Sequence, residues 1–256
     1  MIVRWDEAHA CLHEWFTRIS RRRVNDCGLT PAASAHLQSF SECGNMGIEI
    51  VPAILVKDKE DFARKIAAVS AHVSRVQIDI MDGKFVPNET LAPEKFPPIP
   101  SHLLVEYHLM VQTPLEYVRR IGKKGALYEL HIESLKDAGA AIKEVKKMGG
   151  HVALAISPDT PVSAVAPFLL QIEHVLVMTV HPGFSGQSYL PAMEEKMRAL
   201  SLLGAVVEVD GGVGLGSART AAAAGATLLG VASAIFSAEP DLKTAIEKIK
   251  AEAEGG

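Results

Sequence analysis

From Glu49 onward the chain repeats one pattern, a short apolar or β-branched run followed by a segment of helical period. The runs are Glu49–Leu55, Val76–Ile80, Leu103–Leu109, Tyr128–Ile132, Val152–Ile156, Val175–Val180, Val206–Val209 and Thr227–Val231. Each is nearly continuously apolar rather than alternating, which marks a strand covered on both faces and hence a parallel sheet between helices. Helical period is expected over Asp58–Val69, Pro114–Ile121, Ala138–Met148, Pro161–Leu170, Pro191–Leu202, Leu215–Ala224 and Asp241–Ala251. Proline at several starts and Gly122, Gly149 and Gly225 at ends fit the usual helix punctuation. The proline-rich stretch 82–102 has no clear period. Eight such units predict an α/β fold, a (β/α)8 TIM barrel, more than an open doubly wound sheet. No GxGxxG follows the first run, where a dinucleotide site would put it.

The first 45 residues do not share this pattern. All three cysteines (Cys11, Cys27, Cys43) and both tryptophans (Trp5, Trp15) lie there, and no lysine precedes Lys57. Residues 1–45 are therefore expected to be an N-terminal extension, probed as a Cys/His metal set but with spacing that fits no zinc pattern. Arg4, Asp6 and Glu7 interrupt any secretory apolar run. The domain is expected to be 46–256. A net charge of −4 argues against nucleic-acid binding, because there is no basic excess to displace phosphate counterions. Three clustered cysteines make no disulfide framework, so a cytoplasmic location is expected. Thr220 to Ala238 carries no charge but is rich in Ala, Gly, Ser and Thr, and reads as a helix tail, a loop and a buried strand, not a membrane span.

Active sites of such barrels lie at the C-terminal strand ends. There this chain has Val76-Gln77-Ile78-Asp79-Ile80-Met81-Asp82-Gly83, Glu106-Tyr107-His108-Leu109-Met110, Leu130-His131-Ile132-Glu133, Met178-Thr179-Val180-His181-Pro182-Gly183-Phe184-Ser185-Gly186-Gln187 and Glu208-Val209-Asp210-Gly211-Gly212. By alternation Gln77 and Asp79 point the same way, into the mouth if Ile78 faces the helices. Asp79, His108 and Asp210 then converge from three strands, a set that suits Zn²⁺, Fe²⁺ or Mn²⁺, unless they are separate structural polar groups. Gly183–Gly186, Gly211–Gly212 and Ala232-Ser233 follow the last three strands, where backbone N–H groups can meet a phosphate.

Four of these segments, in order, resemble the ribulose-phosphate 3-epimerase family: Val76 to Asn88, Tyr107 to Val111, Met178 to Gln187 and Glu208 to Val213. The likeness spans about Ile48 to Ala238. It implies a metal-dependent 1,1-proton transfer that interconverts D-ribulose 5-phosphate and D-xylulose 5-phosphate. Carried over, Asp79 and Asp210 are the acid/base pair, and Asp79, His108 and Asp210 are metal ligands. Met81, Met110 and Met178 line the site. Ser185, Gly186, Gly211, Gly212, Ala232 and Ser233 fall at the phosphate cradle. The expected cofactor is one divalent ion (Zn²⁺, Fe²⁺ or Mn²⁺), the partner a phosphorylated ketopentose, and the assembly a homo-oligomer.

The sequence also departs from that family. Gln77 stands where it has a second histidine ligand, Ala53 where it has a serine, Ala232 in its Gly-Ser turn and His181 before Pro-Gly-Phe. An amide oxygen is a poorer donor than imidazole for zinc or iron, so a weaker metal site is expected. Two alternatives stay open: another phosphosugar epimerase or lyase, and a catalytically degenerate sugar-phosphate-binding protein.

Overall fold

Eight parallel strands close on themselves in the computed structural model, which describes residues 47–238 and 241–256. The expectations for residues 1–45, the extension and its Cys/His set, lie outside the described residues. The strands are β1 (Glu49–Ile54), β2 (Arg75–Met81), β3 (Leu104–Met110), β4 (Leu127–His131), β5 (His151–Ile156), β6 (Val175–Met178), β7 (Val207–Asp210) and β8 (Leu228–Val231). Each pairs with its sequence neighbours, and β1 pairs with β8 to complete the ring. This is a (β/α)8 barrel.

The helices form for local reasons. In α1 (Lys59–Val69) the Asp58 carboxylate accepts the Asp61 N–H at 2.8 Å, and Phe62, Ile66 and Val69 make the buried stripe. Pro114 opens α2 (Pro114–Ile121), and Gly122 at φ 58° ends it in the left-handed conformation. Asp137 caps α3 (Ala138–Lys147). Then come α4 (Glu194–Leu202), α5 (Ala218–Ala223), α6 (Ser233–Phe236) and α7 (Leu242–Ala253), the last capped by Asp241. The single helix expected over 161–170 is instead two 3₁₀ turns, Val162–Ala164 and Ala166–Gln171. Pro167 lacks the N–H an α-helix would need there, and its ring would meet the carbonyl of Ser163. No described helix is long and apolar enough to cross a membrane.

Alternation sorts the strand residues. Val76, Ile78 and Ile80 of β2, Val105, Tyr107 and Leu109 of β3, and Val207 and Val209 of β7 join the core under the helices. Phe62 stacks on Phe96 at 4.8 Å within that layer, with Tyr107 and Tyr128 continuing the row. The residues between them face the other way, into the barrel. There Ala155, Leu176, Met178 and Val180 form a separate apolar cluster, and many other inward positions are polar: Gln77, Asp79, Glu106, His108, Glu129, His131, Glu208 and Asp210 are all buried.

Candidate active site

The ladder between β2 and β3 runs without a break over seven pairs, so Asp79 lies beside His108. His108 Nδ1 is 3.1 Å from Asp79 Oδ1 and 3.5 Å from Asp210 Oδ2. One ligand atom from each of Asp79, His108 and Asp210 falls within 4.8 Å of the others. Gln77 sits among them. Its amide nitrogen donates to Asp79 Oδ1 at 2.7 Å and Asp210 Oδ2 at 3.0 Å, and lies 3.2 Å from His108 Nδ1. Its carbonyl Oε1 is buried without a hydrogen-bond partner among the described residues.

The charges follow from this crowding. Burial, and then the neighbouring Asp79, push the Asp210 carboxyl up to about 7. Burial works against a charged His108, but the hydrogen bond and charge of Asp79 outweigh it and raise the ring to about 9. Behind His108 lies a relay. His108 Nε2 is 2.9 Å from His131 Nε2, and His131 Nδ1 is 3.2 Å from Glu133 Oε2. Burial lowers His131 to about 4, which keeps it neutral. Burial alone would raise Glu133, but His131, Thr160 and the Ser157 N–H hold it down at about 2. An anionic Glu133 orients a neutral His131 by its Nδ1–H. His131 Nε2 is then an acceptor, so His108 Nε2 carries a hydrogen and aims it there.

That relay bears on metal binding. It leaves the Nδ1 lone pair of a neutral His108 facing the two aspartates, the orientation a ligating imidazole needs. Two carboxylate oxygens and one imidazole nitrogen fit a small divalent cation. Gln77 in its present orientation does not: it presents N–H₂ to the ligand atoms. Turning the amide over would bring its unpartnered Oε1 to them instead.

The other expected site residues share one pocket above this cluster. Met81, Met110, Met178, Ser185, Gly186, Gly211, Gly212, Ala232 and Ser233 line it together with Asp79 and Asp210. The backbone N–H groups of Gly186, Gly212 and Ser233 donate to no backbone carbonyl among the described residues. Gly212 has φ 66°, and a Cβ there would lie 2.4 Å from the Tyr189 nitrogen. Ala53 pairs with Gln77 in the ladder and is buried, offering no polar atom. His181 is exposed beside Asp159, away from the cluster.

The closed barrel and the family likeness agree with what the comparisons find. The profile of the ribulose-phosphate 3 epimerase family matches residues 49–236. This chain belongs to the ribulose-phosphate 3-epimerase family. Among its curated relatives, a ribulose-phosphate 3-epimerase of Chlamydia muridarum is 35% identical over 204 residues, covering 74% of this chain and 89% of that protein. The cytoplasmic isoform of Oryza sativa is 37% identical, covering 75% and 89%. Among solved structures, orotidine 5'-phosphate decarboxylase from Pyrococcus horikoshii shares the fold with a TM-score of 0.56 at 18% identity, covering 81% of this chain and 100% of that one.

Within this epimerase family member, His131 and Glu133 stand out in the sequence as polar residues at a strand end but carry no assigned role there. Both stand at the end of the fourth apolar run, His131 as the last residue of β4 and Glu133 in the 3₁₀ turn that follows it. What sequence did not show is the contact between His131 and His108 across adjacent strands.

Proposed function

We propose that the protein interconverts D-ribulose 5-phosphate and D-xylulose 5-phosphate, removing the proton beside the ketone from one face and returning one to the other. One observation carries this reading: two carboxylates, Asp79 from β2 and Asp210 from β7, meet at a single imidazole beneath one pocket. Inversion needs an acid and a base on opposite sides of the same carbon, and a proton next to a ketone is too weakly acidic for an unaided carboxylate. Asp79 and Asp210 fill those roles, one accepting as the other donates.

Asp79, His108 and Asp210 would hold a divalent ion, with Gln77 as fourth ligand once its amide turns. Zn²⁺, Fe²⁺ and Mn²⁺ suit the donor set. When bound, such an ion supplies Lewis-acid stabilisation of the negative charge that develops on the substrate oxygens. His131 and Glu133 fix the tautomer of His108. Met81, Met110 and Met178 make an apolar wall that excludes water from the reacting carbon. Ser185, Gly186, Gly211, Gly212, Ala232 and Ser233 receive the phosphate through backbone N–H groups and the two serine hydroxyls. The names of the curated relatives support the choice of substrate.

The inward amide of Gln77 favours a second reading, a sugar-phosphate-binding protein without metal or turnover. Proton exchange separates the two. With ribulose 5-phosphate in deuterated water, the native protein should wash deuterium into the carbon next to the ketone. Asp79→Asn and Asp210→Asn should each slow this by at least about 10². Absence of exchange in the native protein supplied with Zn²⁺, Fe²⁺ or Mn²⁺ favours the second reading. Near-normal exchange in either variant removes that aspartate from the mechanism.

A further inference from the structure

Below the candidate active site the barrel interior holds another polar group. Glu106 and Glu208 stand two residues before His108 and Asp210, so they face inward one step, about 6.6 Å, deeper along their strands. Glu129 stands two residues before His131 on β4. His174 immediately precedes β6. Glu106, Glu129 and Glu208 are fully buried, and His174 is 3% exposed.

The internal partners do not account for these charges. The Arg75 guanidinium takes Glu106 Oε1. His174 Nε2 lies 2.9 Å from Glu129 Oε1 and 2.8 Å from Glu208 Oε2, and a single ring nitrogen can donate one good hydrogen bond. Among the described residues, Glu106 Oε2, Glu129 Oε2 and Glu208 Oε1 are buried without a hydrogen-bond partner, and Glu208 Oε2 has only the His174 ring beside it, at 2.8 Å. Buried carboxylates left in that state are expensive unless a cation meets them. Glu49 also reaches Arg75, but from the partly exposed side.

We propose that Glu106, Glu129, His174 and Glu208 form a second divalent-cation site, enclosed in the barrel and distinct from the Asp79–His108–Asp210 cluster. One ligand atom from each of Glu106, His174 and Glu208 lies within 4.8 Å of the others. Neighbouring ligands of an octahedral ion with bonds of about 2.1 Å are about 3.0 Å apart, close to the spacings around His174 Nε2. The charges also balance. Three carboxylates carry −3, Arg75 carries +1, and a divalent ion with a neutral His174 brings the sum to zero. Without the ion, a protonated His174 leaves the group at −1, unless a carboxyl takes up a proton, the direction in which burial pushes Glu106 and Glu129. Three carboxylates with one imidazole suit Mn²⁺ among the available ions. Its role is structural: it neutralises the layer on which the upper cluster rests.

The test uses the full chain carrying Asp79→Asn and Asp210→Asn, so that the upper cluster contributes no carboxylate and failure here leaves the epimerase reading untouched. The protein is unfolded with chelator, refolded with Mn²⁺, checked for folding by circular dichroism and dialysed. Elemental analysis should find one Mn²⁺ per chain, and pulsed electron paramagnetic resonance should show coupling to one imidazole nitrogen. Adding His174→Leu should abolish that coupling. If His174→Leu does not fold, Glu129→Gln takes its place and should weaken Mn²⁺ binding at least about tenfold. Folded protein that retains no Mn²⁺ overturns the proposal, as does unchanged Mn²⁺ binding after either substitution.

Discussion

Gln77→His tests how this chain has altered its metal cluster. To receive a cation, the Gln77 amide must give up its hydrogen bonds to Asp79 and Asp210, at 2.7 and 3.0 Å. Each joins a neutral donor to a carboxylate, and about 1.5 kcal/mol apiece is the low end for such bonds. Metal binding therefore works against about 3 kcal/mol that an imidazole would not have to surrender, which is about 10² in affinity. From β8 only Gly230 approaches this position, where an added Cβ would lie 3.3 Å from Gln77 Oε1. Competition with a chromophoric Zn²⁺ chelator measures the constant directly. The histidine variant should bind Zn²⁺ between about 10 and 10² times more tightly. Gln77→Leu, which offers neither donor nor ligand, should bind no more weakly than the native protein. Equal or weaker binding by the histidine variant would refute the reasoning. A sharp loss in the leucine variant would show that the turned amide oxygen contributes more as a ligand than its two hydrogen bonds cost.

Three further outcomes are expected. The Glu133 carboxyl is held at about 2 in the folded protein against 4.5 when free, so its stabilisation is present above about pH 4.5 and is lost as the pH falls towards 2. Discounted for its partial exposure, it is worth about 1–2 kcal/mol; the gap in thermal midpoint between native protein and Glu133→Gln should narrow between pH 5 and 3, and a constant gap would contradict this. Gly212→Ala should raise KM for the phosphorylated substrate at least about tenfold, because the added methyl collides with the backbone of 187–189 and a non-glycine residue at φ 66° costs a further 1–2 kcal/mol, roughly; an unchanged KM would remove Gly212 from the phosphate cradle. A chain beginning at Met46 should keep full proton exchange, and an inactive but soluble product would show that the preceding residues serve the site.

The strands were legible because each carries an apolar row under the helices, and every expected run overlaps an observed one. Asp79, His108 and Asp210 stood out for the complementary reason, as charged residues in places where charge is costly. Three things were less legible. Pro167 turned an expected helix into 3₁₀ turns, since the apolar period around it persists whether or not the backbone can follow. Glu106, Glu129, His174 and Glu208 drew no reading, because attention falls on strand ends in a barrel and these lie one step inside. The direction of the Gln77 amide is a torsional choice among close neighbours and has no trace in the order of residues.

The unbroken seven-pair ladder between β2 and β3 also limits how this protein can evolve. Inward and outward residues exchange places with every single-residue slip. An insertion of one residue early in β3 would replace Glu106 and His108 inside the ring by Val105 and Tyr107, taking one member from each polar layer and driving it under the helices. An insertion of two would restore the parity but move His108 out of line with Asp79 by one full step. Length variation compatible with this interior is therefore confined to the loops, and the strands are free to change only by substitution.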